Sequence, residues 1–539
     1  MSRNWSQGLV RAAHWTWQKL ESNNLSKIAL RLAVGLTNGC PPDSLERQIA
    51  PAPNRIFGDV SSEQLVLPHG RRLTRGLTQG NSATLPQRVF CETNAATADM
   101  MSLPVSYYST LVVLWFKEDH HWIPILDQVR LQQSLAALPD PVENIPDVVL
   151  RAVVALKIAY SSQAISLGYH GRWRLSLHLR SQVLIEAMAK PTLSSIQALC
   201  LIALLDMGSD EIPSMFNIMA MCRRTGEHIG LFRQLMQRIE VQSPAQVGLP
   251  SQESFTSDNH EIAITWAIIA VESASSLGVS WRDASAALED HLSGIAYLSV
   301  PDFRDSFKTH LHLCTIGLNP VHEFFHAYAK GEHQDLRDQT LAVTENLYQN
   351  LISYARGLPT SHYTILANGT IDYDANYVFT RHLSNAAVIM IYQRYVFDET
   401  HDYELARERC LASYDQVIDV VRNISDIDTE FSSPLFVNFV AVAARFKLVL
   451  EHVLRQARGP LFDVLMHSIN MCARRWSLAR RIEIVLKAAI IEVDTDTRSG
   501  LPAEFWDLKQ SGLDISEALK RWVTEDKPPR SVGLNGLYA

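Results

Sequence analysis

The chain has 539 residues, a net charge of −8, 47% apolar and 20% charged side chains, which is the composition of a soluble globular protein with ample length for a large core. The acidic balance gives no basic footprint of the kind that nucleic-acid-binding domains carry. No apolar run reaches the eighteen or so residues of a membrane helix, so no membrane partner is expected.

The start, Met1 to Trp15, lacks the unbroken apolar core of a secretory signal, which gives an intracellular reading and leaves the sequons at Asn4, Asn24, Asn368 and Asn423 without glycosylation. Seven cysteines stand far apart and none forms a C-x-x-C pair. Reduced thiols in a cytosolic or nuclear setting are therefore expected. The first forty residues carry five Lys or Arg and one acid, with a loose helical pattern through Val10, Ala13, Trp17 and Leu20. From there to residue 100 periodicity is lost among Pro41, Pro42, Pro51 and Pro53 and a scatter of Gly, Ser, Thr and Asn. Residues 1–101 thus read as a poorly ordered arm. Within it Arg71, Arg72 and Arg75 form a short cluster suited to phosphate or to an import receptor. The plain alternative is a solvated loop.

Aromatic residues concentrate between Tyr107 and Leu131, with Tyr108, Trp115, Phe116 and Trp122 expected to anchor the segment on a helical core. His120 and His121 point in different directions on either a helix or a strand, and so make a poor chelate, and a capping or solvated role is expected for them. A helix follows Pro146-Asp147 with Val149, Val153, Leu156 and Ala159/Tyr160 on one face, and another runs from about 171 to 189. Next comes the stretch around which the chain is organised, Pro191 to Phe232. Ser194 and Gln197 have the spacing of a capping box, and Ile196, Leu199, Cys200, Ala203 and Leu204 fall on one helical face. This helix stops at Asp206-Met207-Gly208; a second begins near Pro213 and ends at His228-Ile229-Gly230. The pair reads as a buried helical hairpin.

The order of these features resembles the regulatory middle region of fungal transcription factors, the large helical domain that usually follows a six-cysteine binuclear zinc cluster. The resemblance is carried by Trp115-Phe116 with Ile123-Pro124-Ile125-Leu126, by Leu193 to Leu205 with Ser195, Gln197, Ala198 and Leu199, and by Arg223, His228, Ile229, Gly230 and Leu231. It covers residues 105 to 235 well and extends to about 400. It implies an all-α regulatory domain and a role in gene control, with no catalytic residue. No C-x2-C-x6-C cluster precedes the region here, so the usual zinc-held recognition helix is missing. The family's Arg-Arg-x-Trp-Trp helix is only echoed by His260 to Trp281.

Beyond a loop at Pro244 to Pro250, helical patterns follow at about 258–276, 303–318, 320–330, 334–357, 374–398, 402–423, 432–456 and 461–490, with almost no strand pattern and no fixed repeat. His322-Glu323-Phe324-Phe325-His326 is HExxH, which on a helix sets two imidazoles on one face for zinc and a glutamate as general base. A third histidine would fall at Glu332 and the glycine at Ala329, while His333 is one residue out of register and Glu345 has no supporting context. The bland reading packs Phe324, Phe325 and Tyr328 and leaves the polar residues capping or facing water. From Met471, four arginines join an apolar face of Trp476, Leu478, Ile482, Val485 and Leu486, suited to an acidic partner or a membrane surface, or simply to a surface helix of the same domain.

The sequence therefore predicts an all-α protein: an arm at 1–101, a helical regulatory domain at 102–523 and a flexible tail at 524–539. The expected role is a nuclear, pathway-specific transcription regulator, in keeping with a specialised-metabolite gene cluster, without cofactor, metal or catalytic residues. Its partners would be other transcription regulators or promoter DNA, reached through a partner or through the basic arm, in a homo- or heterodimer. A zinc metallopeptidase using His322, Glu323 and His326 and a plain helical scaffold are the competing classes.

Overall fold

A computed structural model describes residues 103–161, 172–231, 255–278, 305–329, 337–358, 363–365, 371–398, 403–495 and 500–524. Helices α1 (Val105–Glu118), α2 (Gln128–Ala136) and α3 (Val148–Tyr160) come first. Asp127 and Asp147 start α2 and α3 by accepting from the N–H groups two and three residues on, which have no partner inside the helix. Then follow α4 (Arg172–Ala189), α5 (Leu193–Gly208), α6 (Ile212–His228) and α7 (Phe255–Ser275). α8 (Asp305–His312) passes through a π turn, Leu313–Gly317, to α9 (Asn319–Ala329), and α10 (Arg337–Arg356) follows. An antiparallel hairpin, β1 (Tyr363–Ile365) and β2 (Ile371–Tyr373), pairs Tyr363 with Tyr373 and Ile365 with Ile371. The rest is helical: α11 (Ala375–Tyr392), α12 (Tyr403–Arg422), α13 (Asp426–Glu430), α14 (Pro434–Leu454), α15 (Phe462–Ala473), α16 (Ser477–Thr495), α17 (Ala503–Trp506) and α18 (Ser516–Thr524).

The fold class is all-α, as the sequence indicates, and every described residue lies in one compact unit, Glu92–Arg530. Its hub is α5. This helix touches α3, α4, α6 and α7 from the first half of the chain, and α14 and α16 from the second. All residues from Ser195 to Gly208 are buried, as is the whole of α3. The expectation of one apolar face on each is thus too modest. A helix that is apolar all round has no solvent side to keep, and each of its Leu, Ile or Val side chains contributes about 1.5–3 kcal/mol on burial. Gly208 is what lets α5 meet the α15–α16 corner: a Cβ there would lie 2.4 Å from Trp476 Cε3.

Three local expectations are corrected. The cap of α5 is Thr192, whose hydroxyl accepts from Ser195 N–H at 3.1 Å. Ser194 therefore lies inside the helix, and Gln197 reaches across to donate to Ile125 O at 2.7 Å. The single helix expected over 461–490 is broken at Arg474–Trp476, because the Trp476 indole donates to Ser432 O at 2.9 Å and Arg475 turns inward. Finally, β1 and β2 add a short hairpin that the near-absence of alternation did not announce. No helix among the described residues is long and apolar enough to cross a membrane. Cys200, Cys222, Cys314, Cys410 and Cys472 are free and buried.

Candidate functional site

On α9 the HExxH side chains differ in exposure: His322 is buried, Glu323 exposed and His326 half-buried. His322 is 7% exposed, and its Nε2 lies 3.1 Å from Ser273 Oγ, whose own proton goes to Cys314 O at 2.5 Å. Ser273 has one proton, so His322 Nε2 must be the donor, which removes that nitrogen's lone pair from metal binding. Glu323 is exposed and accepts from Asn319 Nδ2 at 3.0 Å. Phe324 and Phe325 are buried against each other with centroids 5.6 Å apart. The bland reading is thus right for these phenylalanines but not for His322, which is buried rather than facing water. Glu345 serves other helices, accepting from Tyr392 Oη at 2.9 Å and Arg409 Nη2 at 3.3 Å. Among the described residues no three His, Cys, Asp or Glu side chains are grouped so as to hold a metal. Glu332 and His333 lie outside the described residues.

The charged groups that do converge lie around α5. Glu118 and Asp119, at the end of α1, are fully buried, and Lys157 from α3 donates to Glu118 Oε2 and, at 2.5 Å, to Asp119 Oδ2. Arg475 from the α15–α16 corner donates to Asp119 Oδ1 at 2.6 Å and to Phe431 O at 3.3 Å, with its guanidinium 4.4 Å from the Trp476 ring. Ser161 donates to Glu118 Oε1 at 3.0 Å. By formal charge two cations meet two anions; burial and Arg475 pull the Lys157 pKa down, against Asp119 and Glu118, which raise it. Burial by itself would raise the Asp119 pKa, but Arg475 and Lys157 outweigh it and hold the carboxyl below its usual value.

A second ring surrounds the α5–α6 turn. Arg180 forks onto Asp206 at 2.7 and 2.6 Å, Arg481 reaches Asp210 Oδ2 at 2.6 Å and Ser516 Oγ at 2.9 Å, and Lys520 pairs with Glu211 at 2.9 Å. Asp210 adopts the left-handed region, φ 66°, which a short polar side chain tolerates. In both networks the charged groups pair with one another, while Asp210 Oδ1 and Arg475 Nε are buried without a hydrogen-bond partner. Chemically, the networks orient helices from both ends of the chain.

The arginines of the C-terminal basic run divide accordingly. Arg475 and Arg481 are buried in these ion pairs, while Arg474 and Arg480 are exposed. A uniformly basic outer face for an acidic partner is not formed. His120 packs on Phe116 at 4.8 Å, and burial, with His121 beside it, pulls its pKa to about 4. A crevice between His121, Trp122, Tyr373, Phe379, Asp428 and Phe436 has room for no more than about a single water. Arg71, Arg72 and Arg75 lie outside the described residues. The sequence reasoning passed over Glu118, Asp119 and Lys157, although Lys157 carried a signal: a charge inside a helix apolar on every side has to be paired.

The geometry defines a helical body whose polar groups are spent on holding helices together. Over 520 residues, 90% of this chain and 87% of the relative, the chain is 22% identical to the notoamide biosynthesis cluster transcriptional coactivator notQ' of Aspergillus versicolor. The chain matches no protein-family profile and no solved structure.

Proposed function

We propose that this chain is a nuclear, pathway-specific transcription regulator that serves a specialised-metabolite gene cluster and works as a non-enzymatic protein. The observation that carries the reading is the end-to-end similarity to a transcriptional coactivator of a biosynthesis cluster, which spans almost the whole of both chains. The resemblance to the regulatory region of fungal transcription factors at residues 105 to 235 supports it, and so does a helical body whose buried cations pair with buried carboxylates around α5. In this reading residues 102–523 form the regulatory domain between the arm at 1–101 and the tail at 524–539. Contact with promoter DNA runs through a partner regulator, homo- or heterodimeric, or through Arg71, Arg72 and Arg75 in the arm.

Deleting the gene in its host and following transcripts of its genomic neighbours tests the role. Coordinate loss of a contiguous set of biosynthetic transcripts, together with nuclear signal from a tagged copy, is expected. Unchanged transcripts with the protein excluded from the nucleus under every condition would overturn it. Zinc analysis decides the peptidase alternative: one metal per chain, lost in both His322→Ala and His326→Ala, would restore it.

A further inference from the structure

Ser425, at the start of α13, is exposed. Its Oγ accepts from Asp428 N–H at 3.2 Å and donates to Asp428 Oδ2 at 2.6 Å. The same carboxylate oxygen accepts from the Tyr363 hydroxyl on β1 at 3.0 Å, and the phenol oxygen accepts from Ser425 N–H at 2.8 Å. Four hydrogen bonds thus form a closed ring that ties the β1–β2 hairpin to α13. Both bonds that end on Asp428 Oδ2 come from neutral hydroxyls.

The chain reads Ser425-Asp426-Ile427-Asp428-Thr429-Glu430, with acids one, three and five residues after the serine. Asp426 and Ile427 are 63% and 67% exposed, so the run is open to an enzyme that reads acidic side chains. Thr429 is buried, and its hydroxyl goes to Ser425 O at 2.9 Å. Ser425 is therefore the accessible hydroxyl of this run. We propose that Ser425 is a phosphorylation site for an acid-directed serine kinase, and that its phosphorylation releases the β1–β2 hairpin from α13.

In the transfer, the Ser425 Oγ–P bond forms with the γ-phosphoryl group of ATP. The bond from that phosphorus to the β–γ bridging oxygen breaks, ADP leaves, and the hydroxyl proton passes to the kinase's base. The product has lost the O–H that Asp428 accepts, and it sets about −1.5 to −2 charges beside a carboxylate. Repulsion then falls on the oxygen that also holds Tyr363. The hairpin loses its anchor while the helices behind it keep theirs.

The test treats the full chain with ATP and a kinase of the casein kinase 2 class, maps phosphate by mass spectrometry and follows backbone hydrogen exchange at 363–365 and 371–373. Phosphate at Ser425, its absence in Ser425→Ala, and hairpin exchange faster by about tenfold or more are expected. Unphosphorylated Tyr363→Phe, which removes the hydroxyl alone, should show a smaller acceleration. Absence of phosphate from Ser425 overturns the site. Phosphorylated Ser425 with unchanged hairpin exchange overturns the release, even if Tyr363→Phe loosens the hairpin.

Discussion

Two buried arginines hold the C-terminal third of the molecule in different ways. Arg475 meets carboxylates, in a cluster where Lys157 and Arg475 balance Glu118 and Asp119. Arg445 meets neutral groups: it donates to the carbonyls of Phe505, Gln510, Glu504 and Asp507 at 2.8, 2.7, 2.9 and 2.7 Å. Burial lowers the Arg445 pKa to about 10, still leaving it charged at neutral pH. The first arrangement locks α1, α3 and the α15–α16 corner in one formally neutral unit. The second clasps one strap of backbone, and the carbonyls it releases can turn to water if the strap peels away. Similar burial should therefore give a global failure in one place and a local one in the other.

The largest expected effect tests this directly. Arg475→Ala leaves Glu118 and Asp119 with Lys157 alone, an uncompensated buried charge that costs about 3–5 kcal/mol in urea or thermal unfolding. Adding Asp119→Asn in the same chain should recover part of the loss, because the count of charges is then balanced again. Additive losses in the double variant would show that the cluster does not act as a unit. Arg445→Met should cost less, about 2–3 kcal/mol, and should accelerate hydrogen exchange mainly over 500–524. Uniform acceleration across α3 and α5 would erase the distinction.

Both arginines were visible in the sequence, but their roles were not equally legible. Arg474-Arg475 and Arg480-Arg481 read as one basic surface because periodicity alone cannot say that a helix breaks at Trp476. The break exists to seat an indole against Gly208 and a guanidinium against Asp119, contacts made over more than 250 residues of sequence. Local signals fared better. Pro213 and Gly230, with φ 79°, mark α6 as expected, since the turn chemistry that fixes them is local. Ser194 misled, because Thr192 two residues earlier could supply the same capping oxygen. The hairpin carried an Asn368-Gly369 signal between Ile365 and Ile371 that the scarcity of alternation concealed. His322, Glu323 and His326 matched a motif, but only three-dimensional placement showed that Ser273 occupies the first imidazole.

A third buried site sharpens the comparison through pH. His310 on α8 faces the Cys314 thiol at 3.4 Å, the Thr380 hydroxyl at 3.3 Å and the Phe379 ring at 4.8 Å. Burial lowers its pKa from 6.5 to about 3. The unfolded chain then binds the extra proton as pH falls below 6.5, so stability is lost from there down towards 3, by about 2 kcal/mol at pH 5. The Asp119 carboxyl, held below its usual value, stays charged between pH 7 and 5, and its contribution is lost only as pH falls below the usual carboxylate value of 3.8. His310→Gln should flatten the urea midpoint between pH 7 and 5, whereas the Arg475→Ala deficit should shrink at pH 5. Without Arg475, burial raises the Asp119 pKa and the orphaned carboxyl takes up a proton. A deficit equal at both pH values would mean that Lys157 alone keeps both carboxyls charged.

The smallest effect is expected where neither partner is charged. Gln197 joins α5 to the Ile125 turn through one bond of 2.7 Å, and it is 3% exposed. Gln197→Met keeps the volume and leaves the Ile125 carbonyl without that donor, at a cost of about 1–2 kcal/mol. Gln197→Glu should cost more despite its closer shape, since a carboxylate replaces the donor with a buried acceptor facing a carbonyl oxygen. If both substitutions cost as much as Arg475→Ala, then charge balance is not what separates these sites, and burial depth on α5 alone would set the penalty.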